Sequence, residues 1–254
     1  MKKMHFVGAG SGAADLITVR GKKYLEEADV IIYAGSLVNP ELLSYAKEEC
    51  EIFNSAKMNL DEVLEVIIDR VGKGLDVVRL HTGDPCIYGA IREQMDVLDE
   101  KGIDYDYCPG VSAFCGAASA LNLEYTLPNI SQSVIITRMA GRTPVPEKES
   151  IESFAQHNAT MVVFLSTGLL QELSERLIAG GYKADTPAAI VYKATWDDEK
   201  SFICTVGTLA QTAKENNITK TALMIIGDVV GCTEYDKSKL YDPKFTTEFR
   251  QGIE

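Results

Sequence analysis

Near the start of the chain, the stretch Val7-Gly8-Ala9-Gly10-Ser11-Gly12 contains three glycines at alternate positions. This spacing would allow a ligand to come close to the backbone. Because they follow an apolar run, they let the backbone turn tightly and approach a ligand with no side chain in the way. The spacing departs from the dinucleotide-binding fingerprint, and the next apolar run, 29–34, ends in no acidic residue that would hold a ribose. A simple strand-to-loop turn is the alternative interpretation.

A second candidate stretch is Arg79-Leu80-His81-Thr82-Gly83-Asp84-Pro85-Cys86-Ile87-Tyr88-Gly89. An apolar run ends there in a small residue, a carboxylate and a proline-stiffened loop, which suits ligand binding at the carboxyl end of a parallel strand. A Gly-Asp-Pro turn with a buried tyrosine is the alternative. Asp84 has no second carboxylate or histidine at a supporting spacing, so we predict no metal site.

The third candidate, Cys108-Pro109-Gly110-Val111-Ser112-Ala113, joins a predicted strand to a helix of small residues. Such a helix start presents backbone N–H groups to an anion or an adenine edge, and close packing of small residues is the alternative. Ser112 lacks the Gly-x-Ser-x-Gly context of a hydrolase nucleophile. We therefore predict ligand binding here rather than hydrolysis.

Two arginines four residues apart, Arg138 and Arg142, follow a predicted strand in the second half of the chain. Guanidinium groups bind carboxylates bidentately, and a protein with a formal net charge of -12 needs local cations to attract an acidic ligand. The alternative is that both are solvated surface side chains.

Composition limits the partners of this 254-residue chain. Its negative charge without any run of lysine or arginine disfavours nucleic acid and acidic membranes, so small-molecule partners are expected. We find no signal-peptide core and no apolar stretch of membrane-spanning length, which predicts a cytoplasmic protein. The six cysteines form no CxxC pair and are expected to be reduced and mostly buried.

The elements that carry these stretches are predicted to form an α/β protein. The first half alternates β-rich runs with amphipathic helices, which predicts a parallel sheet. One such helix spans 60–73, with Val63, Leu64 and Ile67 on its apolar face. The second half is also α/β, but a possible hairpin over 188–206 predicts a partly antiparallel sheet. We place two lobes at 1–125 and 126–231, followed by a polar tail at 232–254.

Taken together, these stretches resemble the tetrapyrrole methylase family over roughly residues 4–231, in the same order. The matching phrases include Tyr33-Ala34-Gly35-Ser36-Leu37-Val38-Asn39-Pro40, Leu80-His81-Thr82-Gly83-Asp84-Pro85, Ile87-Tyr88-Gly89-Ala90-Ile91, Thr126-Leu127-Pro128, Thr137-Arg138, Gly141-Arg142-Thr143-Pro144 and Phe164-Leu165-Ser166.

The resemblance implies a parallel-sheet N-terminal lobe and a mixed-sheet C-terminal lobe with a cofactor cleft between them, in a homodimer. It implies methyl transfer from S-adenosylmethionine, leaving S-adenosylhomocysteine, to a ring carbon of a tetrapyrrole in cobalamin biosynthesis. Carried over by position, the residues expected to contact the cofactor are Ser11, Thr82, Gly83, Asp84, Ile87, Tyr88, Ser112, Ala113, Phe164, Leu165, Ser166, Ala188, Ala189 and Ile190.

The first loop departs from the family pattern. Where the family reads Gly-Pro-Gly-Asp-Pro, this chain has Ser11-Gly12-Ala13-Ala14, so no carboxylate role is expected there, although Ser11 can still line the site. We assign no general base, because an electron-rich ring supplies its own carbon nucleophile and positioning supplies much of the rate. Arg138, Arg142 and Lys193 are the hypothesised partners of the ring carboxylates.

Other functions remain open at this point. Another enzyme of the same fold is one alternative, such as uroporphyrinogen-III or precorrin-2 methyltransferase or diphthine synthase. A ribosomal RNA ribose methylase is disfavoured by the charge. A noncatalytic sensor that binds a nucleotide or corrinoid is the alternative from a different class, and labelled methyl transfer would distinguish it.

Overall fold

The computed structural model describes residues 4–253, apart from the side chain of Ser36. By their internal contacts the described residues fall into two compact units. The first runs through Ser119 and also takes in Lys193–Glu199, and the second comprises Ala120–Tyr192 and the chain from Lys200 onward. The lobe boundary predicted from the sequence, between 125 and 126, lies inside the second of these units.

The first unit is built on a five-stranded, wholly parallel sheet in the order β3-β2-β4-β1-β5. This confirms the parallel sheet predicted from the alternating pattern. Its strands are β1 (Met4–Gly8), β2 (Val30–Tyr33), β3 (Glu51–Asn54), β4 (Val77–His81) and β5 (Tyr105–Cys108). The helices between and after them are α1 (Val19–Glu27), α2 (Leu60–Gly72), α3 (Arg92–Glu100) and α4 (Ala113–Leu121).

Helix α2 shows how the local sequence sets an element. Asn59 and Glu62 form a capping box, in which each side chain accepts a hydrogen bond from the other residue's backbone N–H. Val63, Leu64 and Ile67 are buried, as the sequence predicts. The helix ends at Gly72, one residue short of the predicted end.

Both faces of the first sheet are covered by apolar residues. One face packs with α1 and the turn at Pro40–Tyr45, through residues that include Val7, Leu25, Ile31, Leu42 and Leu80. The other face packs with α2 and α3, through residues that include Phe6, Ile32, Ile67, Val77 and Leu98. Alternate residues of β4 therefore point to opposite faces, with Leu80 on the first face and Val77 on the second.

The second unit contains a mixed sheet in the order β6-β7-β10-β8-β9. Strands β6 and β7 are parallel, and the other pairs are antiparallel, including the β8–β9 hairpin predicted from the sequence. The strands are β6 (Val134–Arg138), β7 (Thr160–Phe164), β8 (Pro187–Tyr192), β9 (Lys200–Thr205) and β10 (Ala222–Ile226). Its helices are α5 (Ile151–Ala155), α6 (Leu170–Gly180) and α7 (Leu209–Glu215).

Three further observations concern the whole described chain. All six cysteines are free, but the expectation that they are mostly buried is wrong, since only Cys108 is buried and Cys86 and Cys115 are exposed. Among residues 4–253 no helix is long and apolar enough to cross a membrane. The segment predicted as a polar tail includes a short turn at Lys239–Tyr241 and exposes Tyr241 and Phe249.

Candidate functional site

The order of the first sheet reverses direction between β1 and β4. After β1 the chain crosses β4 to form β2, and after β4 it crosses β1 to form β5. In open parallel sheets, ligands bind outside the carboxyl ends of the strands at such a switch point. The loops that follow β1, β4 and β5 therefore form the candidate site of this unit.

Backbone groups hold these three loops together. The Gly10 N–H donates to the Gly83 carbonyl at 3.2 Å, and the Gly83 N–H donates back to the Gly10 carbonyl at 2.9 Å. A Cβ added to Gly8 would lie 2.6 Å from both the Gly83 carbonyl oxygen and the Gly110 Cα, and a Cβ added to Gly110 would collide with the same oxygen. Only glycine permits this close approach of three backbones.

Asp84 joins the β4 loop to the end of β5. Its carboxylate accepts hydrogen bonds from the backbone N–H of Cys86 at 2.9 Å and of Gly110 at 2.9 Å, and from the Tyr107 hydroxyl. Burial opposes ionisation, but hydrogen bonds from Cys86, Tyr107 and Gly110 outweigh it and lower the pKa of Asp84. The carboxylate is therefore charged at neutral pH and braces the site.

The rest of the β4 loop carries unusual backbone conformations. Tyr88 and Ala90 have φ angles of 56° and 49°, in the left-handed region that non-glycine residues rarely adopt. Gln94 of α3 donates a hydrogen bond of 2.9 Å to the Ala90 carbonyl, and Gly89 lies directly against Pro85. Tyr88 is 45% exposed, so this braced loop presents an aromatic ring at the surface, close in sequence to the half-buried Ile87.

The loop after β5 brings the start of α4 to the same place. Ala113 is the first residue of α4, and a Cβ added to Gly83 would lie 3.2 Å from the Ala113 nitrogen. Ser112, just before it, is 7% exposed. The structure thus brings together Gly83, Asp84, Ser112 and Ala113, which are four of the residues predicted to bind a ligand.

The first loop is covered by residues 193–199, which we call the strap. The Thr195 hydroxyl lies 3.0 Å from the Ser11 hydroxyl and accepts a hydrogen bond from the Ala13 N–H at 3.1 Å. The Trp196 ring packs so closely on Gly12 that a Cβ there would collide with it. Neither the Thr195 contact nor the Trp196 contact could be predicted from the sequence, because each joins positions more than 180 residues apart.

Nucleophilic and metal chemistry are not supported by these side chains. Hydrogen bonding to Asp84, followed by burial, raises the pKa of the Cys86 thiol, and burial raises that of Cys115, so neither thiol is activated. Residues 4–253 contain no group of three or more histidine, cysteine, aspartate or glutamate side chains that could hold a metal ion. The site offers backbone groups, hydroxyls and apolar surface.

A family model described as Tetrapyrrole (Corrin/Porphyrin) Methylases matches residues 3–210. This chain belongs to the tetrapyrrole methylase family. It is 52% identical over 251 residues to the cobalt-precorrin-4 C(11)-methyltransferase of Methanocaldococcus jannaschii, covering 99% of this chain and 97% of that protein. It is also 42% identical to the precorrin-4 C(11)-methyltransferase of a Sinorhizobium species, covering 97% and 98%.

A solved structure agrees with this assignment. The X-ray structure of a cobalamin biosynthetic enzyme, cobalt-precorrin-4 methyltransferase, matches this tetrapyrrole methylase with a TM-score of 0.88 and 44% identity. The match covers 90% of this chain and 95% of that chain. The α/β fold with one parallel and one mixed sheet, expected from the resemblance, is confirmed.

In the second unit of this tetrapyrrole methylase, several predicted site residues already have structural partners. The Ser166 hydroxyl donates to the Phe164 carbonyl at 2.6 Å and accepts from the Met139 N–H at 2.9 Å. Leu165 between them is 67% exposed, with a left-handed φ of 52°. The Leu165 side chain is therefore open to a ligand, whereas the Ser166 hydroxyl is already hydrogen-bonded within the protein.

Three other predicted contacts lie inside the second sheet. Ala188, Ala189 and Ile190 are 0% exposed, and β8 is paired along both edges with β10 and β9. Since neither their side chains nor their backbone groups are open to a ligand, we leave these three residues out of the site proposed below.

The predicted substrate cations differ in what they contact. Arg138 donates to the carbonyls of Met139 at 3.1 Å, Thr143 at 3.2 Å and Pro144 at 2.7 Å, so its guanidinium holds the following loop. Lys193 pairs with Asp198 at 2.7 Å and lies over the Trp196 ring. Arg142 is exposed.

His81, which ends β4 just before the site, makes folding sensitive to acid. Burial, and then the charge of Arg79, lowers the pKa of His81 to about 3, from 6.5 in an unperturbed histidine. Between those pH values the unfolded chain binds a proton that the folded chain does not, so the free energy of unfolding falls as the pH is lowered.

We expect urea unfolding to show this directly. On going from pH 7 to pH 4.5, the wild type is expected to lose about 2–3 kcal/mol more stability than a His81→Asn variant. The contributions of all other titratable groups to this loss are the same in both proteins, so they cancel in the difference. Equal losses in the two proteins would show that His81 does not titrate in this way.

Proposed function

We propose that this chain transfers the methyl group of S-adenosylmethionine to ring carbon C-11 of precorrin-4 in its cobalt-containing form, a step of cobalamin biosynthesis. The observation that carries the proposal is the 52% identity, over 99% of the chain, to a protein named for that reaction. The phrases around Ser36, Arg138 and Arg142 also favour the C-11 enzyme over other members of the family.

The first unit provides surfaces that fit the methyl donor. Thr82 has a buried hydroxyl oxygen with no hydrogen-bond partner among the described residues, which suits a polar atom of the donor. Gly83 and the start of α4 offer backbone at close range, and Tyr88, in the same loop as Gly83, offers an exposed aromatic ring. We propose Ser11, Thr82, Gly83, Ile87, Tyr88, Ser112 and Ala113 as donor contacts, with Asp84 as the brace that holds them.

Methyl transfer breaks the sulfonium S–CH3 bond as a ring carbon forms its new C–C bond, and sulfur keeps the electron pair. The protein's contribution is to hold both reactants in line, which is worth about 7–11 kcal/mol of the barrier. The raised pKa values of Cys86 and Cys115 agree with a mechanism that uses no protein nucleophile. Phe164, Leu165 and Ser166 remain predicted donor contacts, of which Leu165 is the exposed one.

The product of the reaction tests this proposal. We expect protein incubated with methyl-labelled S-adenosylmethionine and cobalt-precorrin-4 to add one labelled methyl group to the ring. Mass spectrometry measures the added mass, and NMR locates the label, which we expect at C-11. Metal-free precorrin-4, uroporphyrinogen-III and precorrin-2 serve as parallel acceptors. Faster turnover of uroporphyrinogen-III or precorrin-2 would reassign the enzyme within the family. A bound but unmethylated ring would support a sensor.

Arg142 is the predicted cation with an exposed side chain, and we propose that it binds a carboxylate of the ring. Replacing it with alanine should raise the KM for the tetrapyrrole about tenfold, which corresponds to about 1.4 kcal/mol. The KM for S-adenosylmethionine should not change, because the contact is made to the acceptor alone. Arg20→Ala on α1 removes another exposed arginine and is the matched control. An unchanged tetrapyrrole KM in the Arg142 variant would remove this residue from the substrate site.

We further propose, from the family resemblance, that the enzyme is a homodimer. Sedimentation equilibrium should give twice the chain mass of 27.8 kDa. A single species at the chain mass would contradict this.

A further inference from the structure

Three buried polar side chains on one face of the first sheet have atoms without hydrogen-bond partners. Arg79 and His81 of β4 are 7% and 5% exposed, and Gln94 of α3 is 4% exposed. The unpartnered atoms are Arg79 Nε, His81 Nε2 and Gln94 Oε1. Buried polar atoms are nearly always paired, so three of them in neighbouring elements require an explanation.

The fold directs these side chains toward one space. Arg79 and His81 alternate with Leu80 along β4 and so share the face of Val77, which packs with Leu98 of α3. Helix α3 connects two parallel strands and therefore runs opposite to them. Four residues of helix span about the same length as two residues of strand, so Gln94 lies over Arg79 when Leu98 lies over Val77, and His81 is the next residue along β4 on the same face.

The charges in this space are unbalanced. The Arg79 guanidinium donates one hydrogen bond, to the Ile32 carbonyl at 3.1 Å, and forms no salt bridge with any acidic residue of the described chain. Burial lowers the pKa of Arg79 to about 10, which leaves it charged at neutral pH, while His81 is neutral. A buried charge with so few partners is costly unless another polar group solvates it.

We propose that Arg79, His81 and Gln94 hold an internal water molecule that bridges β4 to α3. Water can accept a hydrogen bond from Arg79 Nε–H and donate to Gln94 Oε1 and His81 Nε2, which satisfies all three atoms. An anion fits less well, because it would face the Gln94 carbonyl oxygen. That amide is fixed in orientation, since its nitrogen donates to the Ala90 carbonyl.

The bridge makes Arg79 a positioning residue for the β4 loop. Gln94 holds Ala90, whose left-handed backbone follows that of Tyr88, so fixing Gln94 also fixes this end of the loop. The effect of Arg79 reaches the loop through water and Gln94 rather than by direct contact.

A high-resolution crystal structure tests the occupant, with a bromide-soaked crystal as the second measurement. We expect one solvent peak within hydrogen-bonding distance of all three atoms and no anomalous signal from bromide there. An anomalous bromide peak would show that an anion rather than water binds there. The absence of any solvent peak would show that no water bridges β4 to α3. Neither outcome bears on the methyl acceptor or donor.

Amide hydrogen exchange tests the positioning role. Arg79→Lys keeps the charge but removes the Nε donor, and we expect amides of 88–90 to exchange about tenfold faster in this variant. Gln94→Met should speed exchange at the same amides at least as much, while Gln171→Met on exposed α6 surface should not. Unchanged exchange in the Arg79→Lys variant would overturn the positioning role, even if that variant retained full stability.

Discussion

Replacing Gly110 by alanine is expected to weaken binding of S-adenosylhomocysteine about 100-fold, equivalent to about 3 kcal/mol. The added methyl group would collide with the Gly83 carbonyl oxygen and lie 2.8 Å from the Gly8 Cα, so backbone rather than a flexible side chain would have to move. Overpacking of this kind costs about 1–3 kcal/mol in folding as well. Isothermal titration calorimetry and urea unfolding on the same protein measure both effects.

Gly72→Ala is the matched control for this substitution. Gly72 is the last residue of α2, and an added Cβ would meet nothing within 4 Å. Alanine at a helical position stabilises by up to about 1 kcal/mol relative to glycine, so this variant should be slightly more stable and bind normally. If Gly110→Ala bound S-adenosylhomocysteine as tightly as Gly72→Ala, the three loops would not form the donor site.

Asp84→Ala is expected to reduce kcat/KM at least 100-fold and to destabilise the fold by about 3 kcal/mol. The substitution removes the charged acceptor of the Cys86 and Gly110 N–H groups, and a hydrogen bond to a charged group contributes about 1.5–3 kcal/mol. The β4 loop would then lose its link to the end of β5. Steady-state kinetics and denaturant unfolding measure the two effects separately.

Tyr107→Phe separates the backbone contacts of Asp84 from its side-chain contact. This variant removes one hydrogen bond and keeps the carboxylate on Cys86 and Gly110. We expect a smaller loss, about 1 kcal/mol in stability and less than tenfold in kcat/KM. An Asp84→Ala variant no worse than Tyr107→Phe would contradict the bracing role.

Local patterns in the sequence predicted much of the first unit. The cap and apolar face of α2 are properties of adjacent residues, and so are the glycines and the Gly-Asp-Pro turn at the strand ends. The carboxyl ends of parallel strands meet at one edge of a sheet, so predicting the strands was enough to bring Gly83 and Ser112 together. The β8–β9 hairpin was likewise visible in its own residues.

Long-range contacts could not be predicted in this way. Nothing near Ser11 indicates that Thr195 hydrogen-bonds to it, and nothing near Gly12 indicates that Trp196 covers it. The strap was therefore not predicted from the sequence. For the same reason, the sequence did not explain why the first loop has a glycine at position 12. Trp196 occupies the space beside that glycine.

The chemical type of a residue also did not reveal its partners. Arg138 and Ser166 have side chains that suit ligand binding, but the structure uses both to hold neighbouring backbone. Asp84 was expected to contact the cofactor, and its three donors all come from the protein. Such roles depend on which backbone groups lie nearby in three dimensions.

We propose that the methyl donor binds to the loops after β1, β4 and β5. A crystal structure of the protein grown with S-adenosylhomocysteine tests it most directly. We expect ligand density against Gly83 and Ala113, with a hydrogen bond to the Thr82 hydroxyl. Ligand density elsewhere, or no ligand density in crystals soaked to saturation, would show that the donor does not bind to these loops.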